Sequence, residues 1–221
     1  MTLAIVTVIN LKGGAGKTLV SASLASQWAT RHVEEEGKGP RPLRVLAVDL
    51  DPQASLLEWS GKSTGGLVPV VGLKEGNLRD GLRLLAPNYD VVVIDTPPQL
   101  EGAAGEALMV CSAAVVPVAP GATDMWAMNK TLRAIHNARS LREFGVYGIL
   151  NKADRRRFTT LMAKDVADMG LVFLDTWVRN YDDHPSAMVE GLSAVDFAPG
   201  SNAALDIRHL ASELGRHVGI A

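Results

Sequence analysis

Apolar residues in this chain fall into short, nearly unbroken runs separated by longer stretches of helical periodicity. The runs Leu3–Ile9, Leu43–Val48, Val91–Ile94, Ala114–Val118 and Val146–Leu150 predict strands, with Val172–Phe173 as a shorter sixth. Strands that are apolar throughout, rather than at every second position, are covered on both faces, as in a parallel sheet. Helices are expected from Lys17 to about Glu36, and over Leu78–Ala86, Ala103–Cys111, Thr123–Phe144, Thr159–Met169 and Ala203–Val218. Such alternation predicts an α/β fold: one doubly wound domain over 1–221, with a mostly parallel sheet and helices on both faces. Glycine and proline mark Glu36–Pro42 and Ser60–Gly72 as loops, the second with room for a short edge strand.

In such a fold ligands bind beyond the carboxyl ends of the strands, so the residues that follow each strand carry the chemistry. After the first strand comes Lys12-Gly13-Gly14-Ala15-Gly16-Lys17-Thr18. Glycines let backbone N–H groups wrap a phosphate chain at a helix N-terminus. Lys17 is placed to reach β- and γ-phosphates, and the Thr18 hydroxyl to ligate Mg²⁺. The strict phosphate-loop pattern fails, because Leu11 stands where its first glycine belongs and a second lysine, Lys12, precedes the glycines. The second strand ends in Asp49-Leu50-Asp51, either a solvated turn or carboxylates that hold the metal's water shell and orient an attacking water. The third ends in Asp95-Thr96-Pro97-Pro98, a carboxylate near the magnesium followed by a stiff turn suited to sensing a γ-phosphate. Asn151 ends the fifth, as a turn residue or as an amide facing a purine edge. Three strand ends converging on one Mg–nucleoside triphosphate site are more specific than any one motif.

The segments KGGAGKT, VDLDPQ, VVVIDTPP and NKAD together resemble the deviant-Walker ATPases of the ParA/MinD group, P-loop NTPases of the SIMIBI class. The likeness spans essentially the whole chain and is greatest to short ParA-type partition ATPases without an N-terminal DNA-reading domain. It implies that residues 13–19, from Gly13 to Leu19, cradle ATP and that Lys12 reaches the nucleotide of a partner subunit, so that ATP drives homodimerisation. It implies further that Asp51 positions the hydrolytic water and that Gly13 must stay small for subunits to approach. The family usually has Gln at position 11 and Thr at position 19; neither Leu11 nor Leu19 removes a phosphate or magnesium contact.

Composition then narrows the functions within that group. One cysteine, Cys111, excludes a disulfide framework and an iron–sulfur site built from two cysteines per subunit. It lies among apolar neighbours and reads as a buried small residue. The ending LASELGRHVGIA lacks the basic amphipathic character of a membrane anchor, and the start enters a strand without a basic leader, so a cytoplasmic protein with no membrane partner is expected. Net charge is −2, yet Lys130 to Lys164 holds nine Lys/Arg against two acids. Its triplet Arg155-Arg156-Arg157 lies where the resemblance implies sequence-independent DNA contact; the bland reading is a solvated basic face. Asp182 and Asp183 stand where relatives often have another basic residue. The expectation is a nucleoid-associated partition ATPase for a plasmid or chromosome, stimulated by a ParB-like centromere-binding protein. Its competitors are an ATPase that positions a protein complex without DNA, and a small-molecule enzyme of the dethiobiotin-synthetase kind.

Overall fold

The computed structural model describes residues 2–35, 37–63, 68–98, 102–119, 122–153 and 171–220, with only the backbone described for 122–127. Seven strands form one sheet: β1 (Ala4–Val8), β4 (Val45–Asp49), β5 (Val70–Gly72), β6 (Val91–Asp95), β7 (Ala113–Val118), β8 (Gly145–Ala153) and β9 (Val172–Arg179). Their order is β5-β4-β6-β1-β7-β8-β9, and every pairing is parallel. The chain fills one half of the sheet, then crosses β1 to fill the other. Every carboxyl end therefore faces the same way.

Alternate residues of each central strand feed opposite layers. In β6, Val91 and Val93 pack with α1 (Lys17–Ala29), α2 (Ser55–Lys62) and the C-terminal helix, while Val92 and Ile94 pack with α3 (Leu78–Leu85) and α4 (Ala103–Val110). Beyond β1 that second layer continues with α5 (Ala122–Arg139), against Val116 and Val118 of β7. Short helices α6 (Asp183–Val189) and α7 (Ala194–Phe197) lead into α8 (Asn202–Val218). Trp28, fully buried, fastens α1 to α8: its indole N–H donates to the Ala211 carbonyl at 3.0 Å.

Several expectations need correction. The first helix stops at Ala29, not near Glu36. Residues that follow form an antiparallel hairpin outside the main sheet, β2 (His32–Glu35) with β3 (Gly39–Pro42). Gly37 and Gly39, both at positive φ, make its turn. Glu36–Pro42, read as a loop, thus holds a strand. Arg41 ties the hairpin to the sheet through paired bonds to Asp90 at 2.6 and 2.8 Å, and Arg44 joins at 3.1 Å. These guanidiniums, Arg41 foremost, hold the Asp90 carboxyl far below its usual range. The sixth strand is eight residues long, not two, and α2 intrudes on the expected Ser60–Gly72 loop, whose edge strand is β5. The helix expected over 159–169 lies outside the described residues.

Truncating Trp28 to alanine removes both a large buried ring and the α1–α8 bond. The expected loss is about 3–5 kcal/mol in urea unfolding; a loss under about 1 kcal/mol would show that the two helices are held by other contacts.

Candidate functional site

At the carboxyl end of β1, residues 10–16 form a loop braced from behind. The Asn10 amide donates to the Pro117 carbonyl at 2.7 Å, while its Oδ1 accepts the Lys12 N–H at 2.9 Å. The Thr131 hydroxyl of α5 accepts the Leu11 N–H at 3.1 Å. Gly14 and Gly16 have φ of +76° and +86°, which few other residues adopt without strain. Gly16 has a second constraint, since a Cβ there would lie 2.1 Å from the Asn151 amide nitrogen. Gly13 has none: a Cβ meets nothing within 4 Å. Gly13 and Gly14 are exposed and Ala15 is buried.

Lys17 opens α1 and is buried. Burial lowers its pKa, opposed by the nearby charges of Asp95 and Asp51. Thr18 donates to one oxygen of Asp95 at 2.7 Å and Ser21 to the other at 3.1 Å. These residues sit one turn apart on α1, on the side that faces β6. Asp95 is 1% exposed, and desolvation, aided by the nearby Asp49 charge, pushes its pKa up to about 7. Thr96 is turned inward and donates to the Val8 carbonyl at 2.9 Å.

Asp49 and Asp51 divide their work. Both Asp49 oxygens are engaged: one accepts the Asp51 N–H at 2.9 Å, the other the N–H groups of Leu56 and Leu57 at 2.9 and 3.1 Å. Its carboxylate thereby caps the start of α2, and burial still raises its pKa. Asp51 accepts the Gln53 N–H at 2.9 Å and is only half-buried. Beside the pair opens a cleft of about 580 Å³, lined by Leu50, Leu57, Lys74 and Pro97 among others.

Asn151 and Lys152 of β8 reach back over the loop. The Asn151 amide donates to the Ala15 carbonyl at 2.7 Å and the Lys152 ammonium to the Gly14 carbonyl at 3.0 Å. A purine contact by the Asn151 amide would require that bond to be exchanged. Leu19 packs its side chain on the core, leaving only its backbone to face a ligand. Sequence reasoning missed Ser21, Asn10 and Thr131, and counted Lys152 in the basic 130–164 stretch, a candidate DNA patch, rather than with the loop. Only Ser21 carried a legible signal, its spacing of three from Thr18. The Arg155–Arg157 triplet lies outside the described residues.

The donor set suits Mg²⁺. Among the described residues no cluster of three His, Cys, Asp or Glu could hold a metal alone. Magnesium takes hard oxygen ligands, few of them from protein and the rest from phosphate and water. The Thr18 hydroxyl and Asp95 carboxylate supply that kind of oxygen, and a carboxyl held near neutrality by burial gains most from a cation.

Asp95 also makes stability depend on pH. Its folded pKa lies above the ordinary carboxyl value of 3.8, so the folded state holds the proton more tightly. Raising pH between those values therefore removes stability that the protonated form provides. In chelator, the Tm of Asp95→Asn is expected to gain on that of wild type as pH climbs from 5 to about 7 and then to run level. A gap independent of pH would remove the shift.

Comparison with known proteins identifies the family. The CobQ/CobB/MinD/ParA nucleotide binding domain model matches residues 6–194. Maintenance of carboxysome distribution protein A of Halothiobacillus neapolitanus is 33% identical over 214 residues, covering 94% of each chain. The virulence plasmid ParA family protein pGP5-D of Chlamydia muridarum is 25% identical, covering 96% of this chain and 92% of that one. In structure, a Borrelia burgdorferi putative plasmid partition protein bound to AMPPNP superposes with a TM-score of 0.77 at 15% identity, covering 98% and 100% of the two chains. Among the described residues no helix is long and apolar enough to cross a membrane. The strand-end carboxylates, the two-lysine loop and these matches agree: the chain belongs to the CobQ/CobB/MinD/ParA family of nucleotide-binding domains and is an ATPase of the ParA/MinD type.

Proposed function

We propose that this ATPase, one domain over 1–221, binds Mg–ATP at the braced loop, dimerises on it, and uses the cycle to distribute a large cargo in the cell. The observation that carries the reading is Asp95 held by Thr18 and Ser21 at the end of the loop, with the Asp49–Asp51 turn beside it and a loop that carries both Lys12 and Lys17. Backbone N–H groups of residues 13–19 surround the phosphates, and Lys17 neutralises the β- and γ-oxygens. Thr18, Asp49 and Asp95 would hold a magnesium ion, which would supply positive charge against that of the transferring phosphoryl group. Asp51, the less encumbered of the two strand-end carboxylates, orients the attacking water. Asn151 and Lys152 hold the loop in shape.

Dimerisation has a steric argument on its side. Among the described residues nothing lies within 4 Å of a Cβ at position 13, so a need for glycine there would come from outside them. A second subunit whose Lys12 reaches across is one such source. The cargo reading follows the relatives' names. The one at 33% identity is named for carboxysome distribution, which favours a protein assembly, and the Chlamydia relative keeps a plasmid as the second reading. Non-specific DNA, gripped through Arg155, Arg156 and Arg157, is the track in either case, and a ParB-like partner that triggers turnover would stand at the cargo. Small-molecule chemistry of the dethiobiotin-synthetase kind has no support beyond the shared fold.

Four results would test this. Lys17→Ala should abolish ATP binding, whereas Asp51→Ala should bind ATP but turn it over roughly 10²–10⁴ times more slowly; wild-type turnover would remove Asp51 from the mechanism. Gly13→Val should leave the monomer's unfolding midpoint unchanged while preventing ATP-driven dimers in sedimentation, and dimers that form normally would sink the cross-subunit role of Lys12. Affinity for non-specific duplex DNA should require ATP and fall steeply with salt. Dimerisation without any such affinity would leave a positioning ATPase that never uses DNA.

A further inference from the structure

The opposite end of the sheet carries a second cleft, of about 630 Å³, at the amino-terminal ends of β1, β4 and β6, beside α3. Its floor is apolar. Leu82 and Ala86 are buried there, and Leu3, Ile5, Tyr89 and Val110 are half-buried, packed on the cluster beneath yet bordering open space. Its rim is basic, formed by Arg44, Arg79 and Arg83. Arg79 and Arg83 are exposed and stand four residues apart on α3, hence on one face of that helix. Among the described lining residues Asp90 is the one acid, and its oxygens already accept bonds from Arg41, Arg44 and the Arg44 N–H. The cleft thus keeps a positive excess in a chain whose net charge is −2.

We infer that this cleft docks an acidic, amphipathic peptide segment of a partner protein. Carboxylates would pair with Arg79 and Arg83, while large apolar side chains displace water from the floor. A nucleic-acid backbone could satisfy the arginines but would leave the apolar floor wet, so charge and hydrophobicity together favour peptide. Position adds a functional consequence. The cleft and the phosphate loop lie at opposite ends of a parallel sheet, so a segment docked here obstructs neither nucleotide entry nor contact through the loop face. A tether held here stays attached through both halves of an ATP cycle. The inference rests on the cleft itself and survives if the proposed dimer or DNA track fails.

Fluorescence anisotropy on the full chain tests it. The probe is a labelled peptide that alternates Asp/Glu pairs with Leu and Phe; its Asn/Gln counterpart and unlabelled duplex DNA serve as controls. The acidic peptide should bind in a salt-sensitive way, equally with ATP and ADP. Affinity should drop at least about tenfold in the Arg79→Glu, Arg83→Glu double variant, whose ATP turnover stays at the wild-type level. Equal binding of the neutral peptide, or equal binding to the double variant, would overturn the inference. Displacement of the peptide by duplex DNA would overturn it too, and assign the cleft to nucleic acid.

Discussion

A single buried carboxylate organises the nucleotide end of this protein. Asp95 ends the strand that pairs with both β1 and β4, and the hydroxyls of Thr18 and Ser21 fix the first turn of α1 against it. The backbone joins in, since the Leu50 N–H donates to the Asp95 carbonyl at 3.0 Å, bringing the end of β4 to the same point. Burying a carboxylate is costly, and two hydroxyls offset only part of that cost. The remainder is stored as a raised affinity for a proton or a cation. Loop, helix and both acidic strand ends are thereby tied together by the chain's own hydrogen bonds, the kind of preorganisation that phosphoryl transfer requires.

Much of this was legible in the sequence because parallel strands are written as apolar runs and their ends as sudden polar residues. Val91–Ile94 followed by Asp95, and Leu43–Val48 followed by Asp49, announce both the sheet and the mouth of the site. The hairpin was not legible. Val33-Glu34-Glu35 has neither strand nor helix period strong enough to decide, and what decides is Arg41 finding Asp90, a partner forty-nine residues away. The sixth strand was cut short for a similar reason: Asp175 and Thr176 interrupt its apolar pattern, but their N–H groups are taken up by Glu213 of α8. Long-range hydrogen bonds decided both. Asn151 was read from its place at a strand end, whereas its amide serves the loop rather than open space.

The all-parallel sheet also separates tasks in space. Charges that face phosphate gather at one end, and arginines set over an apolar floor gather at the other, with a core of buried valine, isoleucine and leucine between them. Close packing gives that core low compressibility, so it sets a fixed distance between the two ends.

The detached hairpin has an evolutionary side. Its two strands pair only with each other and are tied to the sheet by Asp90 and by Val33 packed on the core, so residues can be gained or lost at the turn between Glu35 and Gly39 without shifting any strand of the main sheet. Lineages sharing this architecture can vary in length there at little cost to the ATPase. Alignments that open a gap between α1 and β4 would record drift at this hairpin, not divergence of the catalytic end.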